Sequence, residues 1–423
     1  MKYKRVEFGS YHLHMIKTNR FKDISVRISF REKIQKDKIT IRNFLGDMLS
    51  YSTKEYDTAR KVNIACQDLY SLYFGYKSYI LGNYNILAFE SSFLNPKYTE
   101  EGMLEKSIKF TSDFIFNPDV TNRKFNSESF NIIKKLTSKD LQSLKEDSKT
   151  YSTYRMLENM DSNSPISFRR CGYIEDLEKI TESNLYDYYE YILKNDIVDI
   201  FVLGDIDFSE IENIINNNFN FHMFRKEGKD AYIDCLVKPK KIKTVIEEDN
   251  NSQSKLSIGC RLVDLDDYER KYPLTLYNII LGSGTDSKFF RDIRENNSLA
   301  YYIYSYCSKP NNLIIISSGI NYDDMDKVVG LVKQKMVEMV QGDFSEKDIE
   351  KAKTIFSTSL EEIEDSTAAI LESYYALSFL DVDDIETRKK MMAKVTKKEI
   401  IEVAKKVKID TVYLLGGKSS EED

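Results

Sequence analysis

The chain has 423 residues, 41% of them hydrophobic and 31% charged, with 29 tyrosines, 23 phenylalanines and no tryptophan. That composition excludes a disordered chain and supplies core for two or more domains. A formal charge of −6 argues against nucleic acid as a partner, because phosphate contacts need a basic face.

The first residues, MKYKRVEFGSYHLHMIKTNRF, hold no apolar run of signal-peptide length. No window approaches ~18 uninterrupted apolar residues, so neither a membrane span nor a membrane partner is expected, and a cytoplasmic location is. Cys66, Cys171, Cys235, Cys260 and Cys307 are scattered, without a C-x-x-C pair, and read as buried free thiols.

The opening segments VEFGSYHLHMIKT and DISVRISF read as strands. His12 and His14 share one strand face, a spacing that can hold a metal, although here a plain strand face is expected. A helix follows in RNFLGDMLSY, then hairpin strands around NYNILAFESSFL. The helix in TEEGMLEKSIKFTSDFIF carries an apolar stripe of Leu104, Ile108, Thr111, Phe114 and Ile115. Further helices and a strand at DIFVLGD close the first half, and His222 beyond it reads as structural. The second half repeats the order with a strand at KLSIGCRLV, a helix at YPLTLYNIILG, a strand at NLIIISSGI, a helix at MDKVVGLVKQKMVEMV and a strand at TVYLLGG.

Three matches tie the halves together. FNSESFNIIKK (125–135) resembles FSEKDIEKAK (344–353), ITESNLYDYYEYILKNDIVDIFVLGD (180–205) resembles VTKKEIIEVAKKVKIDTVYLLGG (395–417), and NILAFESS (85–92) resembles NLIIISSG (312–319). The offsets of 219, 215 and 227 residues are too long for a solenoid and indicate a duplicated domain. The expected class is α+β: two homologous halves, each a mixed sheet packed with helices. The expected divisions are 1–225, a polar linker at 226–256, and 257–423.

LGSGTDSKFFRDIRENNSLAYYIYSYCS (281–308) resembles the second-half motif of the insulinase-like (M16) metallopeptidases, through Gly282-Ser283-Gly284, Phe289-Phe290, Ile293-Arg294-Glu295 and Leu299-Ala300-Tyr301. By that resemblance Arg294 and Tyr301, seven residues apart, act as donors to the substrate carbonyls near the scissile bond. Taken alone, they would read as a surface arginine and a core tyrosine.

The family's other motif is His-x-x-Glu-His on a helix, whose histidines hold zinc and whose glutamate activates the bound water. Residues 43–53, NFLGDMLSYST, keep its frame in Phe44, Leu45, Met48, Leu49 and Thr53. Asn43 replaces the first histidine, Gly46 the glutamate and Asp47 the second histidine. The family's third ligand falls at Asp140. Amide, glycine and lone aspartate make no three-ligand site, so this chain is expected to hold no metal and no cofactor.

Further runs at 144–160, 172–193 and 198–207 resemble a zinc-less branch of M16 from Gram-positive bacteria, labelled as associated with 5-aminopentanol modification of elongation factor P. Its members pair with a sister chain that keeps the zinc motif. The resemblance therefore implies a subunit inactive alone, a zinc-bearing sister as partner, and a peptide substrate. The alternative reading is a peptide-binding or scaffold protein with this fold and no peptidase role.

Overall fold

The computed structural model describes residues 1–221, 241–249 and 253–417. Strands β1 (Lys2–Phe8), β2 (Tyr11–Lys17), β3 (Asp23–Lys33), β4 (Tyr73–Leu81), β5 (Tyr84–Leu94) and β8 (Ile197–Gly204) form one six-stranded sheet, in the order β1-β2-β8-β3-β5-β4. A two-strand ribbon, β6 (Val120–Thr121) and β7 (Lys124–Phe125), stands apart from it. Only β2 and β8 run parallel in this sheet.

Strand β3 shows why DISVRISF folds this way. Ile24, Val26, Ile28 and Phe30 alternate onto one face, as a period of two requires, and join the core. Helix α1 (Ile39–Tyr51) adds Phe44, Leu45, Met48 and Leu49 to that core. Helix α3 (Met103–Phe116), which follows α2 (Ala59–Asp68), adds the stripe residues Leu104, Ile108, Phe114 and Ile115. The opposite face of β3 holds Ser25, Arg27, Ser29 and Arg31, all buried as well.

The second sheet has five strands: β9 (Lys243–Glu247), β10 (Ser254–Leu262), β11 (Tyr302–Ser308), β12 (Leu313–Ile320) and β13 (Val407–Leu415), in the order β11-β12-β10-β13-β9. Strand β9, paired parallel with β13, and the start of β10 lie inside 226–256, so that stretch is partly sheet where a linker was expected. The rest of that stretch, 226–240 and 250–252, and His222 lie outside the described residues.

The duplicated segments correspond element by element. Asn126 caps α4 (Ser127–Gln142) much as Ser345 caps α12 (Glu346–Glu362). Thr181 and Thr396 each close a capping box, on α7 (Glu182–Asn195) and α15 (Lys397–Lys406). Strands β8 and β13 follow those last two helices directly.

Two helices depart from the linear order. The compact units are Met1–Ser143, Arg169–Lys229 and Thr367–Tyr375 in one, and Leu144–Phe168, Asp230–Ser366 and Ala376–Asp423 in the other. Helix α5 (Ser148–Met160), from the first half of the sequence, packs on β10 and β13 of the second sheet. Gly259 permits this, since a Cβ there would lie 2.6 Å from Met156 Sδ and 2.8 Å from Met160 Sδ. Conversely, α13 (Thr367–Phe379) supplies Glu372 to the polar face of the first sheet. There Glu372 and Glu90 share Arg27 and Lys77, at 2.6–3.2 Å.

The cysteines are free thiols where described: Cys260 is buried, whereas Cys66, Cys171 and Cys307 are half-buried. Three of the four are therefore less buried than expected, and Cys235 lies outside the described residues.

Candidate functional site

Asn43, Gly46 and Asp47 occupy successive turns of α1 on one side, as the zinc-motif frame requires. Asn43, Asp47 and Asp140 line one open cleft of about 440 Å³, with Tyr76, Lys77, Thr137 and Arg170. The structure therefore brings together three of the four residues aligned with the zinc motif, and Gly46 forms the helix wall behind them.

Their contacts do not suit a zinc ion. The Asn43 amide donates to the Arg170 carbonyl at 2.6 Å. Asp47 accepts from the Tyr76 hydroxyl at 2.6 Å through Oδ1 and from the Thr137 hydroxyl at 3.2 Å through Oδ2. Burial raises the Asp47 carboxyl above its ordinary range, Asp140 adds to this, and the two hydrogen bonds pull the other way. A hydrogen-bonded wall of this kind offers no pair of imidazoles and no base for a metal-bound water.

The glycine has a second partner that the sequence did not reveal. A glycine inside a helix costs about 1 kcal/mol against alanine, so it calls for a reason. Here a Cβ on residue 46 would lie 2.4 Å from two ring carbons of Tyr76 and 2.9 Å from a Leu87 methyl. The Tyr76 ring fills the volume that a longer side chain would need, and its hydroxyl ties it to Asp47. Gly46→Ala is therefore expected to destabilise the chain by about 1–3 kcal/mol despite alanine's helix preference. Chemical denaturation of Gly46→Ala, Tyr76→Ala and the double variant checks this. The two changes should couple, and strict additivity would remove the packing account.

Arg294 and Tyr301 lie in the second unit. Arg294 sits in a wide π-type helical turn, Phe290–Asn296, a form frequent at functional sites. Its guanidinium lies over the Phe290 ring at 4.8 Å and is 3.8 Å from the Glu295 carboxylate. The chain leaves this turn through Ser298, at φ 53°. Tyr301 precedes β11, the edge strand, and its backbone N–H donates to the Gly319 carbonyl at 2.9 Å. The residue is 59% exposed, with one hydroxyl contact of 3.3 Å to Asn321 Oδ1. Both side chains present polar groups to solvent from a fixed backbone.

Two halves of sheet and helix, one with a hydrogen-bonded wall at positions 43–47 and one with an exposed arginine and tyrosine, make up a duplicated α+β fold. Residues 179–356 match the family model described as Peptidase M16 inactive domain. The chain is 28% identical to the probable inactive metalloprotease YmfF of Bacillus subtilis over 415 residues, 97% of this chain and 96% of that one. A conserved protein from Enterococcus faecalis superposes with a TM-score of 0.91 at 25% identity, covering 99% of this chain and 100% of that one. The peptidase M16 inactive domain from Pseudomonas fluorescens has the same fold at 16% identity, with a TM-score of 0.81 and full coverage of both chains. The chain is thus similar to M16 peptidases, and the matching model and the relative of near-full coverage are both described as inactive. No helix among the described residues is long and apolar enough to cross a membrane.

Proposed function

We propose that this chain is the non-catalytic subunit of a two-chain M16-type zinc peptidase, lending Arg294 and Tyr301 to a site whose zinc is held by a sister chain with intact His-x-x-Glu-His. One contrast carries the reading. Residues 43, 46 and 47 are committed to hydrogen bonds and packing, whereas the donors at 294 and 301 remain exposed. A scaffold needs no such pair.

Peptide hydrolysis places negative charge on the former carbonyl oxygen, and donors fixed beforehand stabilise it. Tyr301 offers a neutral O–H and Arg294 a permanent cation with five N–H donors. Among the described residues β11, which Tyr301 leads, is an edge strand, and such an edge suits a peptide added as an extended strand through backbone hydrogen bonds.

Reconstitution tests this. The purified chain alone should hydrolyse no peptide, and a chelator-sensitive peptidase activity should appear when the sister chain is added and the two co-elute. Hydrolysis by this chain alone overturns the proposal. So does a sister equally active without it, an outcome that leaves the scaffold reading.

A further inference from the structure

His12 and His14 project from the same face of β2, and the parallel strand β8 sets Asp199 opposite His12. Asp199 Oδ1 lies 3.0 Å from His12 Nδ1 and 3.4 Å from His14 Nε2. The three ligand-type atoms all lie within 4.8 Å of one another. The side chains of His14 and Asp199 are 0% and 2% exposed, while His12 keeps 16%, which leaves a way in from solvent.

We propose that His12, His14 and Asp199 form a binding site for a divalent transition-metal cation, with zinc the best match. Two imidazoles and a carboxylate are a donor set that suits zinc, with water completing four-coordination. Zinc bonds of ~2.0–2.1 Å in a tetrahedron put neighbouring donors roughly 3.4 Å apart. Both imidazole nitrogens converge on one carboxylate oxygen near that separation. At 3.4 Å the His14 contact is long for a charge-assisted hydrogen bond, which runs ~2.7–2.9 Å.

The surroundings orient the donors as outer partners in metal sites do. The Tyr3 hydroxyl sits 2.8 Å from His14 Nδ1, which leaves Nε2 for a metal. Arg31 donates to Asp199 Oδ2 at 3.3 Å, which leaves Oδ1. The positive charge of Arg31 opposes a second cation, so the site is weaker than a closed structural zinc site. The Tyr374 ring packs on Tyr3 with centroids 4.9 Å apart, placing the triad beneath α13. A metal there would fasten β2 to β8 rather than perform hydrolysis. It departs from the expectation that this chain carries no cofactor, and it is separate from residues 43–47.

The test uses the untagged full chain, freed of metal by a chelator and titrated with zinc and with cobalt. Three histidines in the chain keep competing sites few. One equivalent should bind and raise Tm, and X-ray absorption at the zinc edge should report two imidazole nitrogens and a carboxylate oxygen. His12→Ala should abolish the saturable binding, Tyr3→Phe should weaken it by about 10- to 100-fold, and Asp47→Asn should retain it. Absence of saturable binding in the unaltered chain overturns the proposal. So does one-equivalent binding that survives His12→Ala, or a thiolate shell, the last needing no variant to fold.

Discussion

In the assembled pair, Tyr301→Phe is expected to lower kcat by about 10²- to 10³-fold while KM stays nearly constant. The substitution deletes one hydroxyl and keeps the ring. In the isolated chain that hydroxyl makes a single contact of 3.3 Å to Asn321, at a residue 59% exposed, so folding depends little on it. A donor used only when charge develops on the substrate oxygen affects the chemical step and leaves ground-state binding alone. Arg294→Ala in the same complex should be similarly harmful, because its guanidinium rests on the flank of Phe290 and supports no core. Single-turnover hydrolysis of a defined peptide by matched complexes gives the measurement. An unaltered kcat in the double variant would exclude this pair from the reaction.

Arg42→Ala should destabilise the first unit by about 3–5 kcal/mol. This arginine, next to Asn43 on α1, is wholly buried. It donates to the Phe30 carbonyl at 2.8 Å, to Asp196 at 2.5 Å, to Glu32 at 3.1 Å and to the Tyr188 hydroxyl at 3.2 Å. Removing the cation takes the arginine charge from Asp196 and Glu32 in the interior, while Glu32 keeps Lys38 and the Tyr188 and Tyr191 hydroxyls, and the resulting desolvation cost is what the measurement would read. Urea denaturation monitored by circular dichroism suffices. A loss under about 1 kcal/mol would mean that water reaches the carboxylates after truncation.

Much of the fold is legible in the residues because its periods are local. DISVRISF alternates Ile, Val and Phe against Ser and Arg, and β3 has those two faces. The α3 stripe lies in the core at Leu104, Ile108 and Phe114. The frame of residues 43–53 places Asn43 and Asp47 at one cleft, with Asp140 across from them. What the residues could not disclose is non-local. Tyr76 stands 29 positions from Asp47, and nothing in its neighbourhood announces that it fills the space at Gly46. The histidine pair was visible, but its third member needed the parallel pairing of β2 with β8. Helical period shows that α5 and α13 are helices, not which sheet each will cover. The π-type turn at Phe290–Asn296 leaves no composition signal either.

The crossed placement of α5 and α13 bears on how the polypeptide matures during synthesis. The first sheet is complete once β8 emerges, with Glu90 already beside Arg27 and Lys77, yet their second carboxylate, Glu372, is delivered by translation far later. At ~5–20 residues per second, the interval between Phe221 and Tyr375 is roughly 8–30 s. During that interval the nascent N-terminal portion holds two cations against the single carboxylate of Glu90 on one sheet surface, and α5 is already made with no sheet of its own to cover. Ribosome-bound chains should therefore mature late, with both units closing only after α13 has left the exit tunnel.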